Sequence, residues 1–241
     1  MHPIARATWP RLAAIGVGLC ALAALPAVAG QRQDPKARGI FLAGGGEASR
    51  LGVKFWIALK RGETLQDVQT TETFRSGDAF KLRFESNMDG FAYVFQEGTT
   101  GRRSLLFPLP QDAGANRVAK FATVAVPPGT AYFQFDQNPG MEKVYLIVSR
   151  RPVADIESIL RGTPGASNPP VTPPKVSRPA EISAEENAVL SQLLSRGLKR
   201  TERDVIYHPE TTPAGAQATY AVDTGDDNAE PIVLKLDLDH K

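Results

Sequence analysis

The stretch VKFWIALKR (53–61) constrains this chain more than any other feature. Val53, Phe55, Ile57 and Leu59 alternate with Lys54, Trp56, Ala58 and Lys60, and a period of two places the two sets on opposite faces of an extended strand. The pattern recurs. Phe80, Leu82 and Phe84 alternate with Lys81, Arg83 and Glu85 after the turn-forming SGD (76–78). FAYVF (91–95) is apolar on both faces, as a strand covered on both sides is. The turn EGTTG (97–101) leads into RRSLLF (102–107) as a return strand. ATVAVP (122–127), AYFQFD (131–136) and EKVYLIVS (142–149) follow, separated by PPGT and QNPG. Short strands with Gly/Pro turns between them predict a mainly β protein, an antiparallel β-sandwich of Ig-like or jelly-roll-like type. No alternation with long helices is seen, which disfavours a parallel α/β sheet.

The flanks add less regular material. Residues 1–29 read as a cleaved signal peptide: Arg6 and Arg11 precede the apolar run Leu12–Leu25, and Pro26 and Ala27-Val28-Ala29 follow it. The run is shorter than the ~20 residues of a membrane span, so no integral span is expected after cleavage. Residues 30–50 are expected to be a flexible N-terminal segment, with Gly44-Gly45-Gly46 as a loose connection. The sandwich is expected over 51–162, closed by a short helix at VADIESIL (153–160). Six prolines between Pro164 and Pro179 predict an extended linker over 163–180.

Residues 181–241 are expected to form a helix plus a C-terminal β-hairpin that packs on or extends the sandwich. Ser183 and Glu186 make a capping box. Val189, Leu190, Leu193 and Leu194 form one apolar stripe, and Gly197 is placed to end the helix. ATYAVD and IVLKLDLD flank the acidic turn DTGDDNAE (223–230) as the two hairpin strands.

Charge and residue inventory exclude several chemistries. The chain holds 28 Lys+Arg and 26 Asp+Glu; losing the leader's two arginines leaves 26 of each sign, so no basic face for nucleic acid stands out. The single cysteine, Cys20, lies in the leader, leaving no disulfide, thiol nucleophile or cysteine-ligated zinc beyond it. The glycine cluster lacks the Lys-Ser/Thr of a phosphate loop. His208 and His240 have no Gly-x-Ser-x-Gly elbow to serve. Asp237, Asp239 and His240 could cluster as a metal site, but alternation puts both aspartates on one solvent-facing side. The 223–230 run lacks the order of a calcium loop.

No catalytic residue, cofactor or metal site is therefore assigned. Asp78, Glu85, Asp89, Glu97, Asp136 and Glu142 leave a carboxylate-pair hydrolase open as an alternative. Trp56 and Tyr132 leave open a glycan-binding module. Arg102 and Arg103 are consecutive on a strand, face opposite ways, and make no single fork toward a phosphate.

The central stretch also carries an ordered motif series: Gly77-Asp78, Asn87 and Gly90, Tyr93, Leu106-Phe107-Pro108, Asn116, Pro127, and Pro139-Gly140 with Glu142. This series, over residues 77–153, resembles the bacterial family called domain of unknown function 4384, with Phe91 standing where that family usually has tyrosine. The resemblance implies a β-rich module of exported or envelope-associated proteins and carries over no catalytic residue. Turn formation, strand ending and aromatic burial account for the motif residues. The expected role is a non-catalytic exported module for protein binding or assembly in the bacterial cell envelope, periplasmic or extracellular, with another envelope protein as partner and no nucleic acid.

Overall fold

A computed structural model describes residues 31–44, 50–98, 101, 103–109, 114–162, 180–213, 215–226 and 230–241. The leader expected over 1–29, the glycines Gly45 and Gly46, Arg102, and the linker expected over 163–180 apart from Ala180 lie outside the described residues. The first elements are β1 (Arg32–Gln33), α1 (Lys36–Leu42), β2 (Gly52–Arg61), β3 (Thr64–Val68), β4 (Thr73–Phe74) and β5 (Ala79–Ser86). The middle of the chain forms β6 (Gly90–Glu97), β7 (Arg103–Phe107), β8 (Arg117–Val118), β9 (Val124–Val126), β10 (Phe133–Gln134) and β11 (Gly140–Ser149). It ends with α2 (Ala154–Gly162), β12 (Ala180–Glu181), α3 (Ala184–Asp204), β13 (Val205–Thr211), β14 (Gln217–Asp223) and β15 (Ile232–His240).

The fold is mainly β, two sheets packed face to face. One sheet runs β1-β13-β14-β2-β5-β10, with β3 also on β2 and β9 also on β5; the other runs β12-β7-β6-β11-β15-β4, with β8 also on β6. The alternating residues read from the sequence fill the space between them. Val53, Phe55, Ile57, Leu59, Leu82 and Phe84 face Ala92, Val94, Leu146 and Val148 in one continuous core. Burying side chains of this size stabilises by roughly 1.5–3 kcal/mol each.

The second sheet is covered on its outer face as well. Tyr93 and Phe95 of β6 and Ile147 of β11 pack under Ile156, Ile159, Leu190, Leu193 and Leu194 of the two longer helices. That second layer explains why FAYVF is apolar on both faces. The capping box of α3 is present, with Ser183 accepting from the Glu186 backbone N–H and the Glu186 side chain accepting from Ser183.

The structure departs from the sequence-based expectations in several places. The expected C-terminal hairpin does not form. β14 lies between β13 and β2 in one sheet, while β15 lies between β11 and β4 in the other. A turn between two amphipathic strands signals reversal but does not say whether the chain stays in its sheet. Both sheets are mixed rather than purely antiparallel, because β1 runs parallel to β13 and β4 parallel to β15. There are three helices among the described residues rather than one or two, and α3 has 21 residues. The segment expected to be flexible contains α1, whose Ala37 and Phe41 are buried against Ile206, Tyr220 and Val222. The glycines beside this helix mask a short apolar face of only two buried residues. Val189 is exposed, so the α3 stripe is narrower than its spacing suggests.

Gly197 does not end α3. It lies inside the helix, where a Cβ would sit 2.3 Å from Val233 Cγ2. Glycine is there for close approach of helix to sheet, not for a stop.

Candidate functional site

Most of the motif residues hold the fold. Gly77 has φ +86°, a conformation that favours glycine. Next to it Asp78 receives Arg61 in a forked contact, Nη2 to Oδ2 at 2.6 Å and Nε to Oδ1 at 3.0 Å, and also accepts from the Arg75 backbone N–H. The hydrogen bond from Arg61 holds the Asp78 carboxyl below its usual range despite burial. Fully buried Asn87 ties β5 to β2, accepting from Gly52 N–H at 2.8 Å and donating to the Arg50 carbonyl at 2.9 Å. Gly90 is a close-approach glycine, since a Cβ there would lie 2.3 Å from the Ser149 carbonyl oxygen.

Tyr93 and Asn116 converge on one carboxylate. The Tyr93 hydroxyl donates to Glu157 Oε1 at 2.6 Å and accepts from Val153 N–H, and Asn116 Nδ2 donates to the same oxygen at 2.8 Å. Burial first, and then the bond to Glu157, pushes the Tyr93 hydroxyl well above its usual value. Phe107-Pro108 and Val126-Pro127 are cis peptides. Gly140 opens β11 opposite His240.

Glu142 is different. On β11, Val144, Leu146 and Val148 point between the sheets, so the alternation of a strand turns Glu142 the same way. Gln96 does likewise at the end of β6, two residues beyond Val94. Gln96 Nε2 donates to Glu142 Oε2 at 3.0 Å, and among the described residues no cation pairs with Glu142. These two polar groups border a cavity of about 170 Å³ at one end of the sandwich. Leu106 and Val144 line it on the same side. Phe80, Phe133 and Phe135 line it from the other, with Asp136 at the rim. The three rings form a connected group, Phe80 to Phe133 at 5.5 Å and Phe80 to Phe135 at 4.8 Å between centroids.

The remaining candidates are spent elsewhere. Glu97 accepts from Lys143 at 2.8 Å and pairs with Arg103 at 2.5 Å. Burial pushes its carboxyl up, but the Lys143 hydrogen bond and the Arg103 charge outweigh that and hold it low. Arg103 also donates to Asn187 and Ser191 of α3, so it anchors the helix to the sheet. Glu85 receives Thr123, and Asp89 receives the Lys120 backbone N–H. Asp223 is not in a turn: it is fully buried at the end of β14 and paired with Arg200.

His240 is buried with its ring 5.0 Å from that of Phe135 and Nε2 3.2 Å from Ser76 Oγ. Asp237 and Asp239 are on the other face of β15, and no group of three metal-binding side chains occurs among the described residues. His208 stacks near Tyr220 at 6.4 Å. Trp56 is buried with Lys54 Nζ 4.9 Å from its ring, and Tyr132 lies under Lys81 Nζ at 4.7 Å. They present no exposed aromatic row to a sugar.

A carboxylate-pair hydrolase needs one carboxyl held protonated beside an ionised one. Asp136 and Glu142 are the two carboxylates at the cavity, and the hydrogen bonds from Asn138 hold Asp136 below its usual value. What the cavity offers is an apolar, aromatic wall opposite a carboxylate. Sequence reading placed Glu142 in a motif but missed Gln96 and Phe133, because nothing local says that two sheet ends meet there.

The architecture defines a two-sheet, sandwich-like β domain with α2 and α3 over one outer face and α1 over part of the other. Residues 73–152 match the family described as Domain of unknown function (DUF4384), as the motif series implied. That match takes in about a third of the chain, β4 to β11. The strands β2, β14 and β15 that complete both sheets come from outside it. No curated protein and no solved structure matches the chain.

Proposed function

We propose that this chain is a non-catalytic module for protein binding or assembly in the bacterial cell envelope, exported by the leader at residues 1–29. The observation that carries the reading is the end-of-sandwich cavity. Its carboxylate faces inward with only an amide as partner among the described residues, whereas Asp78, Glu97 and Asp223 are each consumed in ion pairs within the fold. An inward charge without a countercharge is unfavourable in a free domain, and its presence is explained by a partner that supplies the countercharge. No helix among the described residues is long and apolar enough to cross a membrane.

The test is site-specific photocrosslinking in the native envelope, with a photoreactive residue at position 133 beside the cavity and a control at position 158, exposed on the outer side of α2. A discrete protein adduct from 133 that is absent from 158 is the expected result. Equal labelling from both positions, or none from 133, refutes the reading.

A further inference from the structure

We infer that the cavity between Phe133 and Glu142 is an alkylammonium-binding site whose occupant is a lysine side chain of the protein partner. The inference rests on the binding role proposed above and names the chemistry the site would take. Three observations carry it. The cavity is walled by Phe80, Phe133 and Phe135. Phe135 is stacked between Phe74 and Phe80, which leaves the partly exposed Phe133 as the ring to meet a cation, and aromatic faces attract cations through their quadrupole, more strongly where water is excluded. Glu142 projects into the same space, and its one partner among the described residues is the neutral Gln96 side chain, which brings no positive charge to it. The volume of about 170 Å³ is of the class that admits a six-carbon ring, enough for the tip and stem of a lysine and too small for a folded peptide segment.

The basic side chains described in this region are committed to other faces. Lys143, the next residue on β11, points the opposite way and is held by Glu97. Lys81 reaches the backbone carbonyls of Pro127 and Gly129. His240 lies behind Phe135, with Ser76 at its ring nitrogen. Asp136 at the rim adds a second negative charge on the approach, and its interactions with Asn138 keep it ionised. An alkyl stem against phenylalanine with an ammonium at a carboxylate is how a lysine side chain divides its apolar and charged parts.

The full-length chain, isotope-labelled, is titrated by NMR with n-butylammonium chloride, with 1-pentanol as a neutral probe of similar shape, and with the peptide acetyl-Gly-Lys-Gly-amide. Saturable shifts at Phe133, Phe135 and the Gln96 side-chain amide are expected with the amine, at least tenfold tighter than with the alcohol. The peptide is expected to bind at least as tightly as the amine. Glu142→Gln is expected to abolish the preference for the amine. Phe133→Leu, which keeps an apolar wall without a ring face, is expected to weaken the amine several-fold while leaving the alcohol unchanged.

Equal affinity for amine and alcohol, or undiminished amine binding in E142Q with a native spectrum, overturns the inference while leaving a binding cavity in place. Amine binding without peptide binding overturns the assignment to a partner's lysine. Absence of saturable binding by every probe overturns both the cation assignment and the use of this cavity.

Discussion

Two rules disagree about Gly197→Ala, and the structure decides between them. Alanine in a helix interior is favoured over glycine by roughly 1 kcal/mol, so on α3 alone the change would stabilise. In the folded chain the new Cβ would lie 2.3 Å from Val233 Cγ2 and 2.9 Å from its Cβ, and Val233 is fully buried on β15. Forcing a methyl into a packed contact costs about 1–3 kcal/mol, and so short a separation puts this case at the upper end. The net expectation is a loss of about 1–2 kcal/mol. In a Val233→Ala background the 2.3 Å contact with Cγ2 is gone while the Cβ at 2.9 Å stays, so the same substitution should cost less without becoming stabilising, giving a coupling of about 1–2 kcal/mol across the pair. Urea unfolding followed by circular dichroism reads this as a shift in midpoint at constant slope. A stabilising G197A in the otherwise native chain would refute the argument that α3 is seated directly on β15.

Ending the chain after Gly162 removes β14 and β15 from the interiors of both sheets, along with α3 and β13. The remainder should lose its cooperative transition, whereas a truncated chain with the native thermal midpoint would contradict the interleaved topology. Asp78 is held low chiefly by its hydrogen bond from Arg61, and Glu97 by Lys143 and Arg103 against the opposing effect of burial. The unfolded chain therefore binds more protons as pH falls below the ordinary carboxyl range, about 4–4.5. The stability these pairs contribute is present above that range and is lost progressively below it. Asp78→Asn should lower the urea midpoint at pH 7 and flatten its decline between roughly pH 5 and 2; an unchanged acid slope would remove Asp78 from the account.

Strand alternation made β2, β5, β6 and β11 legible, because one apolar face per strand is a local property. The capping box located the start of α3 for the same reason. What stayed hidden depends on contacts distant in sequence. Nothing in ATYAVD or IVLKLDLD says that they join different sheets, and nothing around Gly197 or Gly90 reveals a neighbour against which a Cβ would collide. The VIYH segment of β13, apolar on both faces and followed by Pro209, went unread because its partners β14 and β1 lie downstream and far upstream. The site was legible only as its two carboxylates, Asp136 and Glu142. Its aromatic wall comes from β10, two residues long, and from Phe80 on the neighbouring β5, across from the sheet that carries Glu142. Only the packed sandwich brings these three parts together.

The central claim is that Glu142 serves a partner while Glu97 serves the fold, and comparing Glu142→Gln with Glu97→Gln in urea unfolding at pH 7 tests it directly. Glu97 is buried and joined to Lys143, Arg103 and Tyr145, so neutralising it should cost about 2 kcal/mol or more, the scale for stripping one member from a buried charged pair. Neutralising Glu142, which has no cationic partner among the described residues, should leave stability unchanged within about 0.5 kcal/mol or raise it. A loss in E142Q as large as that in E97Q would show that the inward carboxylate is part of the fold and would contradict the account.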